Sequence, residues 1–302
     1  MGTPGFAVPS LNILLENGYN VVGVITATDK WGGRGNKKLM QSEVKKFAIS
    51  KGLRVLQPKN LKAPNFIEEL RSLEANLQIV VAFRMLPEVV WAMPQLGTFN
   101  LHGSLLPKYR GAAPINWAII KGDLETGVTT FFLKKEIDTG DLIFQESLPI
   151  GENETAGEVH DRMMELGAQV SLKTVQAIES GNVETIKQDD SKATKAPKIF
   201  HETCEIHFDR STQEVHNFIR GMSPFPAAWT KLDDKTLKIL KTSKEITNHH
   251  FEPGTFHSDN KKFIKIATLD GFIQVHQLQL QGRKRMATKD FLNGYKFPEN
   301  GQ

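Results

Sequence analysis

Short apolar runs that alternate with helical patterns constrain the fold of this 302-residue chain more than any other feature. Residues 20–26, 77–83 and 97–102 have the composition of buried β-strands. Residues 8–16 and 66–73 instead carry apolar side chains at helical spacing. Because parallel strands are joined by helices that cover both faces of their sheet, this alternation is typical of an α/β domain. We therefore predict a Rossmann-like parallel sheet in the first part of the chain.

The same patterns predict further elements of this domain. We expect helices at 44–51 and 155–178, and strands at 54–57, 129–133 and 140–146. The helix at 155–178 repeats apolar residues every three or four positions, which is the spacing of one buried helical face. These elements extend the α/β pattern over more than half of the chain.

The amino-terminal residues predict a gap in this sheet. Met1–Ala7 (MGTPGFA) has the composition of the turn that follows the first strand of a Rossmann-like sheet, but no strand-like run precedes it. That strand is central in the common doubly wound order. We expect the sheet to lack its first strand and to leave backbone edges open, as a truncated chain or a misassigned start codon would produce.

A polar segment at 187–198 (KQDDSKATKAPK) is the best candidate for an interdomain linker. It separates a predicted catalytic domain, 1–186, from a second domain, 199–302. In the second domain a helix at 212–220 precedes short strand-like runs separated by polar turns, at 235–240, 263–267 and 272–278. Such a series predicts a small barrel or sandwich.

The charge of the chain is unevenly distributed. The net charge is +4, but residues 1–190 hold 20 Lys and Arg against 22 Asp and Glu, whereas residues 191–302 hold 18 against 12. A basic second domain suggests a polyanionic partner. On charge alone, a solvated lysine-rich surface is the favoured explanation.

The single cysteine, Cys204, excludes an internal disulfide and a multi-cysteine metal site, which fits a reducing cytosol. Glu202 and Glu205 would disfavour a thiolate at this position. No apolar run approaches the roughly 18–20 residues that span a bilayer, and the amino terminus has no signal pattern. We expect a cytoplasmic protein without membrane association.

Residues 99–111 (FNLHGSLLPKYRG) place Asn100 and His102 two positions apart at the end of a predicted strand. Side chains at i and i+2 share one face, and open α/β sheets bind ligands at the carboxyl ends of their strands. Asp138 follows in a D-T-G turn between two strands. An amide that donates to an oxyanion, an imidazole and a carboxylate are suitable groups for acyl-type transfer to an amine.

Each of these residues also has a plain structural explanation. His102 suits a structural histidine, Asp138 a turn cap and Asn100 a strand-end hydrogen bond to the backbone. No nucleophilic serine or cysteine stands out, which favours direct attack by a substrate amine. No His, Cys or carboxylate group has convincing metal-ligand spacing, so we expect no metal.

The stretches 100–107 (NLHGSLLP), 109–115 (YRGAAPI) and 138–140 (DTG) resemble the formyltransferase family that uses 10-formyltetrahydrofolate. The resemblance runs from Met1 to about Tyr295. It implies that Asn100, His102 and Asp138 are the catalytic residues and that 10-formyltetrahydrofolate is the formyl donor.

The resemblance also implies two folate-binding segments. One is a turn formed by Ser104, Leu105, Leu106 and Pro107. The other lines the pterin pocket and consists of Phe83, Arg84, Met85 and Leu86. Arg84 and Met85 differ from the small or glycine-containing pair that we expect there, although backbone groups of this segment remain able to bind the pterin.

Members of this family formylate a purine-precursor amine, an amino sugar or a methionyl group, or hydrolyse the folate. Here the resemblance implies transfer to the α-amine of methionine on initiator methionyl-tRNA, by a monomer that serves translation initiation. The first feature that favours tRNA is the glycine-rich basic loop at 28–40, whose Arg34, Lys37 and Lys38 are candidate tRNA contacts.

The second feature is the basic second domain, which resembles an OB-like tRNA-binding barrel through residues 219–229 and 280–286. Arg283, Lys284 and Arg285 are its candidate phosphate contacts, whereas we expect Phe225 and Trp229 to be core anchors. Two alternatives stay open: an amino-sugar nucleotide N-formyltransferase, and a non-enzymatic RNA-binding module that has no need of His102.

Overall fold

The computed structural model describes residues 1–32, 35 and 37–298. The helices are α1 Val8–Glu16, α2 Glu43–Ser50, α3 Pro64–Arg71, α4 Glu88–Trp91, α5 Pro114–Ile120, α6 Ala156–Glu179, α7 Thr212–Met222 and α8 Thr288–Leu292. The strands are β1 Val24–Ile25, β2 Lys30–Gly32, β3 Lys38–Met40, β4 Val55–Leu56, β5 Gln78–Val81, β6 Thr98–His102, β7 Arg110–Gly111, β8 Glu125–Phe132, β9 Leu142–Pro149, β10 Lys195–Ala196, β11 Ala228–Leu232, β12 Lys235–Ile246, β13 Phe256–Ser258, β14 Ile264–Ala267, β15 Gly271–Leu280 and β16 Met286–Ala287. Every helix and strand predicted from the sequence has a counterpart among them.

The chain divides into two compact units. The first unit consists of residues 1–110, 127–148 and 161–195, and the second unit of residues 111–126, 149–160 and 196–302. Neither unit is continuous in sequence. The last division falls between residues 195 and 196, inside the segment predicted as a linker; the predicted domain boundaries themselves stay a prediction.

The first unit contains the predicted parallel sheet. Strand β1 pairs in parallel with β4, and β5 pairs in parallel with β6. Strand β8 then joins β6 in antiparallel orientation, with β9 beyond it. Gly2 links the two parallel pairs, because it forms a parallel bridge with Val81 and donates its N–H to the carbonyl of Ile25 at 3.0 Å.

The predicted gap is present in this sheet as a cleft of about 590 Å³. Its lining includes residues 19–25 on one side and 73–79 on the other, with Leu14 and Ile178 among the apolar side chains. The strand predicted at 20–26 is limited to β1, since residues 20–23 have no strand partner among the described residues.

Apolar clusters anchor the helices of the first unit to its sheet. Leu14 of α1 and Val175 of α6 pack with Phe99 of β6, which is fully buried. Phe66 of α3 and Val80 of β5 belong to a separate cluster. Strand β6, which carries Asn100 and His102, is therefore held rigidly inside the unit.

The second unit is built on a curled antiparallel sheet, which fits the predicted small barrel or sandwich. Its strand order is β11-β12-β15-β14-β13, and β16 pairs with β15. Helix α7 begins at a capping box, in which the Ser211 hydroxyl accepts from the backbone N–H of Glu214. Its residues Val215 and Ile219 join Ile239 of β12 in the core.

The expectation of two core anchors is wrong for Phe225. Its side chain is 82% exposed, because the segment between Pro224 and Pro226 runs outside the core between α7 and β11. Trp229 is half-buried against the core cluster, as predicted.

None of the helices in the described part of the chain combines the length and apolar character that a membrane crossing needs.

Candidate active site

Asn100 and His102 lie at the carboxyl end of β6, between β5 and β8. Asn100 is opposite Val80 on one side and Phe131 on the other, and His102 is opposite Thr129. His102 is buried, with 7% of its surface exposed, whereas Asn100 is half-buried. Within the described residues the Asn100 side-chain amide makes no hydrogen bond, so its N–H groups are available to an incoming oxygen.

The imidazole of His102 is held by a backbone carbonyl. Its Nε2 lies 2.9 Å from the carbonyl oxygen of Tyr109. Because a carbonyl oxygen only accepts, Nε2 carries a proton in either protonation state of the ring. Nδ1 lies 3.9 Å from Oδ2 of Asp138, which is an ion-pair distance rather than a hydrogen bond.

Asp138 sits in the loop between β8 and β9 with a φ of 55°, in the left-handed region. Its side chain is only 15% exposed. The Gln188 side-chain amide donates to the carbonyls of Asp138 at 2.9 Å and Gly140 at 2.8 Å. A Cβ at Gly140 would lie 1.6 Å from the carbonyl oxygen of Phe132, so the glycine of the D-T-G turn is required by close backbone contact.

Arg110 fixes Gln188 from the other side. The Oε1 atom of Gln188 accepts from Arg110 Nε at 3.1 Å and Nη2 at 2.7 Å. Arg110 also pairs with Asp190 at 2.7 Å. Sequence reasoning missed both supporting residues, because Gln188 lies in the predicted linker and no local pattern gives Arg110 a role.

The predicted folate-binding turn at 104–107 is tightly bonded to β8. The Thr129 hydroxyl donates to the carbonyl of Ser104 at 2.6 Å and accepts the N–H of Leu106 at 3.1 Å. Ser104 and Leu106 are buried, whereas Leu105 and Pro107 are partly exposed. Of the four side chains, only those of Leu105 and Pro107 are accessible at the surface.

The predicted pterin-pocket segment, 83–86, follows β5 as a loop. Arg84 donates to the carbonyl of Lys59 at 2.9 Å and to that of Pro58, and its guanidinium lies 5.7 Å from the centre of the Phe83 ring. Met85 is 70% exposed and Leu86 is buried. The unexpected arginine thus ties this loop to the one that follows β4.

Two further features considered from the sequence are the single cysteine and groups of metal-ligating side chains. Cys204 is fully buried, and burial is the main reason why the pKa of its thiol is raised, with Glu202 as a smaller contribution. In residues 1–32, 35 and 37–298, no three His, Cys, Asp or Glu side chains are grouped so that they could hold a metal ion.

The candidate tRNA contacts that the structure describes are all exposed. Lys37 and Lys38 are exposed, and Lys38 is opposite Gly32 in the β2–β3 pair. Arg34 lies outside the described residues. The remaining candidates, which occupy the exposed turn between β15 and β16, are Arg283, Lys284 and Arg285.

Two family models match this chain. One, described as formyl transferase, covers residues 1–175, and the other, described as formyl transferase, C-terminal domain, covers residues 198–296. The chain therefore belongs to the formyl transferase family, which confirms the family predicted from the sequence.

Relatives are similar to this chain over nearly their whole length. A methionyl-tRNA formyltransferase of Parabacteroides distasonis is 54% identical over 98% of this chain and 94% of its own. A methionyl-tRNA formyltransferase of Flavobacterium johnsoniae is 52% identical over 100% of this chain and 97% of its own length. The crystal structure of an N-formyltransferase from Helicobacter canadensis, in complex with folinic acid and dTDP-3-aminofucose, has a TM-score of 0.66 at 23% identity over 91% of this chain and 96% of that chain. At that identity the likeness shows a common fold.

Proposed function

We propose that this chain transfers the formyl group of 10-formyltetrahydrofolate to the α-amine of methionine on initiator methionyl-tRNA. The product is N-formylmethionyl-tRNA for translation initiation. The observation that carries the chemistry is the meeting of Asn100, His102 and Asp138 at the carboxyl end of β6 in a formyl transferase. The full-length relatives named methionyl-tRNA formyltransferase, at 51–54% identity, support the acceptor.

In the proposed mechanism the methionyl amine attacks the formyl carbon and a new C–N bond forms. Asn100 donates to the resulting oxyanion, which is the role of a preorganised amide. Asp138 lies beside the ring of His102 and removes the proton of the attacking amine, while His102 stabilises the intermediate. N10 takes up the proton that Asp138 removed from the amine, the oxyanion re-forms the carbonyl, and the bond between the formyl carbon and N10 breaks. Because the amine attacks the folate directly, no covalent enzyme intermediate forms.

The folate is proposed to lie against the two predicted segments. Leu105 and Pro107 of the turn Ser104–Pro107 would contact it directly, while the buried Ser104 and Leu106 would shape the turn. The pterin would lie along Phe83, Arg84, Met85 and Leu86. Because Arg84 already donates to two carbonyls, its backbone rather than its guanidinium is the group we assign to pterin binding.

We propose that the tRNA contacts basic side chains from an early and a late part of the sequence. We assign Arg34, Lys37 and Lys38 to the acceptor end, and the turn of Arg283, Lys284 and Arg285 to the phosphate backbone. We further propose residues 1–186 as the catalytic domain, 187–198 as the linker and 199–302 as the tRNA-binding domain of a monomeric, cytoplasmic enzyme without membrane association.

A formyl-transfer assay tests this proposal. The chain is incubated with 10-formyltetrahydrofolate and either charged initiator tRNA or an amino-sugar nucleotide, and the formylated product is measured. We expect formylmethionyl-tRNA and no formylated sugar. Transfer to the sugar alone, or no transfer by the folded protein, would contradict the proposed acceptor.

A further inference from the structure

Exposed aromatic rings and lysines lie close together on the second unit, where the segment Lys198–Glu205 runs beside β11. We name this surface the aromatic–lysine patch and define it by its members: Lys198, Phe200, His201, Phe225, Trp229 and Lys231. Phe200 is 53% exposed and Phe225 82% exposed. Rings this exposed contribute little to folding, which makes their clustering informative.

The patch is held together by specific contacts. The His201 ring stacks on Trp229 with centroids 5.2 Å apart and planes inclined by 14°. The Trp229 indole N–H also donates to the carbonyl of His201 at 2.9 Å. Two backbone contacts add rigidity. Glu205 forms a parallel β-bridge with Trp229, and the N–H of Ile206 donates to the Trp229 carbonyl at 2.8 Å.

A second set of contacts brings the Phe225 loop to the same place. The Lys238 ammonium donates to the carbonyl of Pro226 at 3.2 Å. Lys238 also lies opposite Trp229 in the β11–β12 pairing. Cys204 donates to the carbonyl of Phe200 at 3.1 Å. Lys238 and Cys204 therefore each hold the backbone at or beside one of the exposed phenylalanines.

The lysines of the patch are not neutralised. The Lys198 ammonium lies 5.2 Å from the centre of the Phe200 ring, and that of Lys231 lies 5.8 Å from Trp229. Neither ammonium forms an ion pair with any residue in the described part of the chain. The surface thus offers aromatic faces with available cations beside them.

We infer that the aromatic–lysine patch binds unpaired nucleotides of RNA, with bases stacked on Phe200, Phe225 and the His201–Trp229 pair and phosphates beside Lys198 and Lys231. Proteins that bind single strands combine these two components, because every base has a stackable face and every nucleotide carries a negative charge. An apolar protein partner would not need the lysines. The inference deepens the proposed function, on which it rests for the source of the RNA.

The test is the affinity for a fluorescein-labelled, single-stranded RNA octamer of mixed sequence, measured by anisotropy at two salt concentrations. Phe200→Ala and Phe225→Ala should each weaken binding by about tenfold. Phe225→Trp should retain the affinity, because it keeps a stacking face. Phe251→Ala is the matched control, since Phe251 is also half exposed (48%) on the second unit but outside the patch; its affinity should change less than twofold.

Charge is tested separately with Lys198→Gln and Lys231→Gln. Each should lower the slope of log affinity against log salt by roughly 0.7, the value for one phosphate of a single strand. Thermal unfolding of each variant shows that the fold is retained. If the wild-type chain fails to bind the octamer, or the alanine variants bind it as tightly as the wild type, the inference is wrong. Weaker binding in the alanine variants with an unchanged salt slope in both glutamine variants would contradict the phosphate contacts assigned to Lys198 and Lys231.

A failure of the RNA-binding proposal can be distinguished from a failure of the proposed function. Loss of octamer binding in Phe225→Ala, in a chain that does not formylate methionyl-tRNA, would support the patch and contradict the acceptor. Normal formylation with an unchanged KM for tRNA in both alanine variants, together with unchanged octamer binding, would contradict the patch alone.

Discussion

The candidate catalytic edge of the first unit is the carboxyl end of β6 with the neighbouring Asp138 turn, and its titratable side chains are largely buried at positions fixed by hydrogen bonds. The basic turn of the second unit, residues 283–285, instead leaves its polar groups exposed. At the catalytic edge, His102 is 7% exposed and hydrogen-bonded to a carbonyl, and the turn of Asp138 is fixed by Gln188. In the basic turn, Arg283 and Lys284 are exposed. Proton transfer needs a fixed geometry, whereas attraction of a polyanion needs only a local excess of charge. Changes at the first site should therefore alter rate, and changes at the second should alter affinity.

The largest effect is expected at the pair of His102 and Asp138. His102→Ala or Asp138→Asn should lower kcat for formyl transfer by about 10²–10⁴-fold, because each removes a positioned acid or base. The Kd for tRNA should stay within about twofold. Single-turnover kinetics and a binding titration measure the two quantities.

Asp141→Asn is the matched control for this pair. Asp141 lies in the same loop but pairs with Lys134 at 2.8 Å instead of His102. If Asp141→Asn is as inactive as Asp138→Asn, the loss reflects disruption of the loop rather than removal of a catalytic carboxylate.

An intermediate effect is expected at Gln188, a positioning residue. Gln188→Leu leaves the carbonyls of Asp138 and Gly140 without their donor and should lower kcat about 10–100-fold through misplacement of the carboxylate. The KM for 10-formyltetrahydrofolate should change much less. Gln188→Glu, which keeps the size but not the donor, should be as slow as the leucine variant; normal activity in both would show that the amide is dispensable.

A smaller effect is expected in the basic turn. The double variant Arg283→Gln and Lys284→Gln should weaken tRNA binding about tenfold and lower the salt slope by roughly one per cation, with kcat unchanged. Lys261→Gln with Lys262→Gln, two exposed lysines elsewhere on the second unit, is the control. Equal losses in both double variants would indicate net charge rather than a defined contact surface.

The smallest effect on activity is expected at His216, a buried titratable group of the second unit. Burial, followed by repulsion from Arg220 and Lys244, lowers its pKa to about 4. Its unfolded pKa is about 6.5, so the unfolded state binds more protons between these values. The free energy of unfolding should therefore fall on acidification from pH 6.5 to 4, by up to about 3 kcal/mol.

His216→Asn should flatten this pH dependence in urea unfolding experiments, whereas the exposed His250→Gln should leave it unchanged. Formyl transfer at neutral pH should be the same in both variants. An unchanged slope in His216→Asn would assign the acid sensitivity to other groups.

The two regions also differ in how much of them could be predicted from sequence. Strand β6, with Asn100 and His102, follows from a local pattern in the sequence. The bonds from Gln188 to Asp138 and Arg110 do not, because they join residues 50 and 78 positions apart and leave no spacing pattern. Phe225 was mispredicted because hydrophobicity alone does not show which side of a proline-flanked loop faces the core.

Because the Asp138 turn depends on Gln188, the order of synthesis decides when this turn can gain its hydrogen bonds. A growing chain emerges from its amino terminus, at about 5–20 residues per second. The 50 residues between the two partners therefore take roughly 3–10 seconds to synthesise, during which the strand with Asn100 and His102 already exists but the turn lacks its donor. The turn that carries Asp138 can therefore gain its hydrogen bonds from Gln188 only after the segment that follows α6 has been made.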